Sequence, residues 1–127
     1  MYQGLNRSVV FIVDDENVIA STLELILTSQ GFDARYFIDP LDALNAAQSI
    51  SPDLLLADVV MPHMTGIELA IKFKQLCPDC KILLSSGQIE TNLLLEDAGI
   101  KGHHFAILPK PVHPNVLLAT IKKLFGA

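Results

Sequence analysis

The sequence predicts one α/β domain: a five-stranded parallel sheet, doubly wound, with helices on both faces. Three observations predict it. Short apolar, β-rich runs recur five times, at residues 9–13, 34–37, 54–57, 81–85 and 105–108. A segment with helical spacing or helix-start chemistry follows each run. The alternation is strict, and strict alternation builds parallel strands joined by right-handed crossovers. The size agrees, because 127 residues, 50% of them apolar and 18% charged, can bury a sizeable single core.

The elements follow in order. Val9-Val10-Phe11-Ile12-Val13 is the first strand, and Asp14-Asp15-Glu16 ends it. Residues 17–29 carry Ile19, Leu23, Ile26 and Leu27 at helical spacing, and Gly31 suits the left-handed position past a helix end. Residues 34–37 are short and mixed, as an edge strand is. Asp39 and Pro40 supply a cap and a first helical residue for a helix reaching about residue 50, with Leu41, Leu44 and Ala47 as its apolar stripe. Residues 54–57 form a third strand that delivers Asp58 to a loop. A four-residue apolar run between Pro-Asp and Met-Pro suits a strand covered on both faces.

Thr65 caps a third helix to about residue 76, with Ile67, Ala70, Ile71 and the Lys74 stem on its buried side. Cys77-Pro78-Asp79-Cys80 turns into the fourth strand, residues 81–85, which ends at Ser86-Gly87. A fourth helix is expected over residues 91–98, the fifth strand over 105–108, and a last helix over 114–125.

Composition narrows the function. Nine basic against 14 acidic residues give a formal charge of −5, and no basic run is present. Direct nucleic-acid binding therefore has no electrostatic footprint. No stretch reaches the roughly 18 apolar residues of a membrane helix, and no signal-peptide pattern opens the chain, so a cytoplasmic protein is expected. Two cysteines do not make a secreted disulfide scaffold. Their Cys-x-x-Cys spacing reads better as a helix-ending turn with partly buried thiols than as a redox or metal pair.

The residues at the strand ends carry the chemistry. Asp14 and Asp15 follow strand one, Asp58 strand three, Ser86 strand four and Lys110 strand five. Each alone has an ordinary reading: a helix cap, a turn residue, a solvated loop lysine. Parallel strands put all of these ends on one edge, and with strand order 2-1-3-4-5 the first and third strands meet at the topological switch point. Three carboxylates crowded there repel unless a cation is present. Mg²⁺ is the natural partner, since it takes one or two carboxylates and leaves room for a phosphoryl oxygen. Asp58 then reads as a nucleophile that forms an acyl phosphate, with Lys110 and the metal neutralising charge and Ser86 bonding one oxygen.

These residues also carry a resemblance. Val-Asp-Asp-Glu at 13–16, Asp-Val-Val-Met-Pro-His-Met-Thr-Gly at 58–66, Ser-Ser-Gly at 85–87 and Lys-Pro at 110–111 resemble the response-regulator receiver domain of two-component signalling. The likeness runs from about Val9 to Phe125 and is nearest to the single-domain, chemotaxis-regulator kind. It implies a flavodoxin-like (βα)5 fold filling residues 1–127, with a core over about 9–125 and no output domain. It implies Asp58 as phosphoacceptor. Mg²⁺ would be held by Asp14, Asp15, Asp58 and the Val60 carbonyl, with Asp15 the more direct ligand of the acidic pair. Ser86 is implied as the switch hydroxyl, Lys110 as its partner, and the Lys110–Pro111 bond as cis.

The implied donor is a phosphohistidine on a sensor histidine kinase or phosphotransfer protein. The implied output is a protein contact, or a homodimer, through the surface made by the 91–98 helix, the fifth strand and the last helix. Leu93-Leu94-Leu95 cannot all face one core and fit that surface. Two positions depart from the family pattern: Ile107 stands where an aromatic residue is common, and Pro109 stiffens the approach to Lys110. Two other classes compete. A small aspartyl phosphohydrolase would want a second acid two residues past Asp58, where Val60 stands. A nucleotide or flavin binder would want a glycine- or hydroxyl-rich loop where Asp14-Asp15-Glu16 stands.

Overall fold

The computed structural model describes residues 8–87 and 105–126. Its elements are β1 (Val9–Val13), α1 (Asn17–Ser29), β2 (Asp33–Phe37), α2 (Pro40–Ala47), β3 (Leu54–Asp58), α3 (Gly66–Leu76), β4 (Lys81–Ser86), β5 (Ala106–Pro109) and a last described helix, α4 (Pro114–Leu124). The strands form one parallel sheet in the order β2-β1-β3-β4-β5, the expected doubly wound, flavodoxin-like arrangement. The 91–98 helix, Leu93-Leu94-Leu95, Gln88 and His103-His104 lie outside the described residues.

Strand residues alternate between two cores. Phe11, Val13, Leu55, Ala57, Ile82 and Leu84 pack with α2 and α3. Val10, Ile12, Leu54, Leu56 and Leu83 pack with α1 and α4. The period of two explains why the apolar runs are continuous: in a sheet covered on both faces, neither face of a strand meets water. Leu54, Leu55 and Leu56 are at most 1% exposed, and each fully buried leucine contributes roughly 2 kcal/mol.

Helix ends follow local chemistry. Asp39 accepts the Leu41 N–H at 2.9 Å, with Pro40 beside it in the first turn. Gly31 takes a φ of 94°, the left-handed conformation that follows α1. Thr65 and Glu68 close a reciprocal capping box at the start of α3.

Three expectations are corrected. The helix expected to reach residue 50 ends at Ala47, because residues 48–50 continue only as tightened turns bonded to Asn45 and Ala46. Leu41 is 58% exposed: the buried stripe of α2 is Pro40, Ala43 and Ala47, with Leu44 partly covered. On α3, Leu69 and Phe73 join Ile67 and Ala70 in the core, and the Phe73 ring meets Phe11 edge-on at 6.3 Å. Cys77 and Cys80 are both buried free thiols at the turn between α3 and β4, and the Lys74 ammonium ties that turn by donating to the Pro78 and Cys80 carbonyls.

Candidate functional site

The carboxyl ends of β1, β3, β4 and β5 meet at one edge of the sheet; β1 supplies two of the expected groups and the other three strands one each. Asp14 follows β1. Its N–H donates to the Phe37 carbonyl at 3.1 Å, which extends the β1–β2 pairing by one residue. Its carboxylate is buried, and Oδ1 accepts the Glu16 N–H at 2.9 Å. The helix-cap reading of Asp14 is not met: Glu16 is the N-cap of α1 and no side chain caps it, while Asp14 closes an Asx turn just ahead of the helix and keeps its other oxygen available for a second role. Asp15 is exposed beside it.

Asp58 ends β3 and is 6% exposed. Its Oδ1 accepts the Val60 N–H at 3.3 Å, and its Oδ2 accepts from the Lys110 ammonium at 2.8 Å. The Lys110 N–H donates to the Ser86 carbonyl at 3.1 Å, which holds the residue beside the end of β4; the Lys110–Pro111 bond is cis. Ser86 is buried, pairs with Pro109 in the ladder, and donates its hydroxyl to the Gly87 carbonyl at 2.9 Å.

Asp14, Asp15 and Asp58 each offer a carboxylate oxygen, and these oxygens lie within 4.8 Å of one another. Burial holds the Asp14 carboxyl above its ordinary value of 3.8; the Glu16 N–H opposes the shift, and the Asp58 charge adds to it. For Lys110, burial favours the neutral amine, but the hydrogen bond and charge of Asp58 outweigh it, so the ammonium titrates above its ordinary 10.5. The edge therefore holds three like charges offset by one ammonium. Three carboxylate oxygens at this spacing suit a hard divalent cation, which removes the remaining repulsion.

The β3–α3 loop surrounds Asp58. Val60 is exposed, and His63 takes a φ of 71° in a γ-turn closed by the Met64 N–H and the Pro62 carbonyl at 2.8 Å. Sequence reading placed Thr65 at the cap but missed Glu68, although the Thr-x-x-Glu spacing signals a capping box. It also missed Gly66, whose amide bonds the Val59 carbonyl at 2.8 Å. No helix among the described residues is long and apolar enough to cross a membrane.

Comparison with known proteins agrees with this geometry. The sequence model of the response regulator receiver domain matches residues 10–122. The DNA-binding transcriptional regulator NtrC of Proteus hauseri is 30% identical over 122 residues, covering 94% of this chain. A solved CheY-like receiver domain protein from Methanospirillum hungatei superposes with a TM-score of 0.81 at 29% identity, over 94% of this chain and 95% of that one. The chemotaxis protein CheY4 of Vibrio cholerae superposes with a TM-score of 0.80 at 27% identity, over 93% and 98%. The chain spans 25% of the length of the NtrC relative.

Proposed function

The chain belongs to the response regulator receiver domain family, and from that membership we propose that it is a phosphorylation-driven signalling switch whose receiver unit fills residues 1–127. Receiver domains bind Mg²⁺ at an acidic cluster, and Asp14, Asp15 and Asp58, with the Val60 carbonyl, would hold the ion here. When bound, the ion supplies positive charge to the transferring phosphoryl group. An Asp58 oxygen attacks the phosphorus of a donor phosphohistidine. The new P–O bond forms as the P–N bond breaks, and the imidazole leaves with the electron pair. Lys110, already on Asp58, neutralises charge on the incoming oxygens. The Ser86 hydroxyl turns from the Gly87 carbonyl to one of those oxygens. The observation that carries this reading is the Asp58–Lys110 ion pair inside the three-carboxylate cluster.

The donor is a protein. A cleft of about 740 Å³ lies between α1 and the segment after β5, lined by Glu16, Val18, Ile19, Ile26, Lys110 and Pro111. Lys110 links that cleft to Asp58, so a donor helix seated there has its histidine beside the acceptor. Of the 13 residues of α1 only Glu24 is charged, and Val18 is 76% exposed, which suits an apolar helix face. The setting is cytoplasmic, and the output is a protein contact around β5 and α4.

The test is intact mass after incubation with Mg²⁺ and acetyl phosphate, comparing wild type with Asp58→Asn. A Mg²⁺-dependent gain of one phosphoryl group in wild type alone is expected. Continuous donor turnover without a stable adduct supports a phosphohydrolase instead.

A further inference from the structure

Gly66 opens α3 with a helical backbone, so its lack of a side chain is not explained by conformation; alanine is the better helix former there. Space explains it. A Cβ at this position collides with the Asp58 carbonyl oxygen, and it lies 2.9 Å from the Asp58 carbonyl carbon and 3.0 Å from the Val59 Cα. All three are backbone atoms, so no side chain can rotate away. The backbone on both sides of Val59 is also gripped by hydrogen bonds. The Gly66 N–H donates to the Val59 carbonyl at 2.8 Å, and the Val59 N–H donates to the Ser85 carbonyl at 2.9 Å. The Asp58–Val59 peptide is therefore bonded to the end of β4 and the following Val59–Val60 peptide to the start of α3, which clamps Val59 between them. The capping box fixes where α3 begins: the Glu68 N–H reaches Thr65 Oγ1 at 3.1 Å, and the Thr65 N–H reaches Glu68 Oε1 at 2.9 Å.

We propose that Gly66 is a positioning residue for Asp58: the bare backbone at the start of α3 sets where the Asp58 carboxylate stands relative to Asp14 and Asp15. The proposal rests on Asp58 being the phosphoacceptor. A side chain at 66 pushes the clamped backbone outward and moves the carboxylate at the cluster, where displacements of an ångström matter.

The experiment compares wild type, Gly66→Ala and Leu27→Val in two readouts: Mg²⁺ affinity by calorimetry and the rate of phosphoryl uptake from acetyl phosphate by intact mass. Leu27 is fully buried where α1 runs into β2, at the opposite edge of the sheet, and Leu27→Val is the control for lost stability alone. Gly66→Ala is expected to weaken Mg²⁺ binding about tenfold and slow uptake about tenfold or more, with Leu27→Val leaving both within about twofold of wild type. Wild-type values in Gly66→Ala, or equal losses in both variants, overturn the proposal. If Gly66→Ala does not fold, Thr65→Ala with Glu68→Ala loosens the same helix start; a severalfold loss in both readouts supports the proposal and no loss overturns it. A wild-type chain that takes up no phosphoryl group overturns the function proposed above, while the Mg²⁺ readout still decides the role of Gly66.

Discussion

The Lys110 ammonium crosses the end of β4 to reach Asp58, joining β5 to β3 with a 2.8 Å contact to Oδ2. The two residues are 52 positions apart in the chain. The carboxylate is 7% exposed and the lysine side chain 35%, so the pair is buried at one end and wet at the other.

That asymmetry sets the outcome for Lys110→Met, which keeps the stem and removes the charge. Phosphoryl uptake on Asp58 is expected to fall about 10²-fold. The stability loss is expected near about 1 kcal/mol rather than the several kcal/mol of a fully buried pair, because solvent screens the lysine end. Uptake kinetics and thermal melts check both, and adding Asp58→Asn should recover most of the stability.

Asp14 gives a pH dependence. Its folded pKa lies above the ordinary 3.8, so the proton is held more tightly in the folded state. The stability this confers is complete below 3.8 and is lost as pH rises through the raised value. Asp14→Asn should therefore raise the melting temperature near neutrality by a few degrees, on the order of 1 kcal/mol, and change little below 3.8. Added Mg²⁺ should cancel the advantage by stabilising wild type. Melts at the two pH values, with and without the ion, decide it.

His63 carries a left-handed backbone without being glycine, a conformation that costs about 1–3 kcal/mol when retained. His63→Gly should be neutral or stabilising by about 1 kcal/mol, since the added chain entropy of glycine offsets part of the relief. Phosphoryl uptake from a small donor should not change; a marked loss would give the imidazole a part in the chemistry.

Val18→Asp separates the donor's cleft from the acceptor's chemistry. Val18 is too exposed for the change to harm folding. Transfer from a phosphohistidine protein should slow about tenfold or more, while uptake from acetyl phosphate stays at the wild-type rate.

The Cys-x-x-Cys turn should be silent. Burial and the neighbouring Cys77 push the Cys80 thiol up to about 12, and both sulfurs are buried. The folded protein should resist alkylation at neutral pH, and both cysteines should react once it is unfolded. Rapid labelling of the native chain would restore the redox reading.

Much of the site was legible because it sits at strand ends, and strand ends are marked by where apolar runs stop: Val13 before Asp14, Ala57 before Asp58. Parallel topology then gathers them without further information. Burial on helices was harder to read. Leu41 has helical spacing with Leu44, yet it lies in the first turn of α2 and faces water, while the small Ala43 takes the core position. Phe73 and Leu69 were passed over because apolar residues occur on several faces of α3. Gly66 closes the 58–66 motif, but the motif does not say what its bare backbone touches. Its contact is with backbone eight residues earlier, and a backbone contact has no letter in the sequence.

The alternation of β3 between two cores has the character of a reading frame. Deleting one residue between Leu54 and Ala57 would hand each helical layer the side chains cut for the other and turn the terminal carboxylate toward the wrong side. Deleting two would restore the faces but leave the strand end a step short of Lys110. The chain therefore tolerates changes of letter along β3 far better than changes of count.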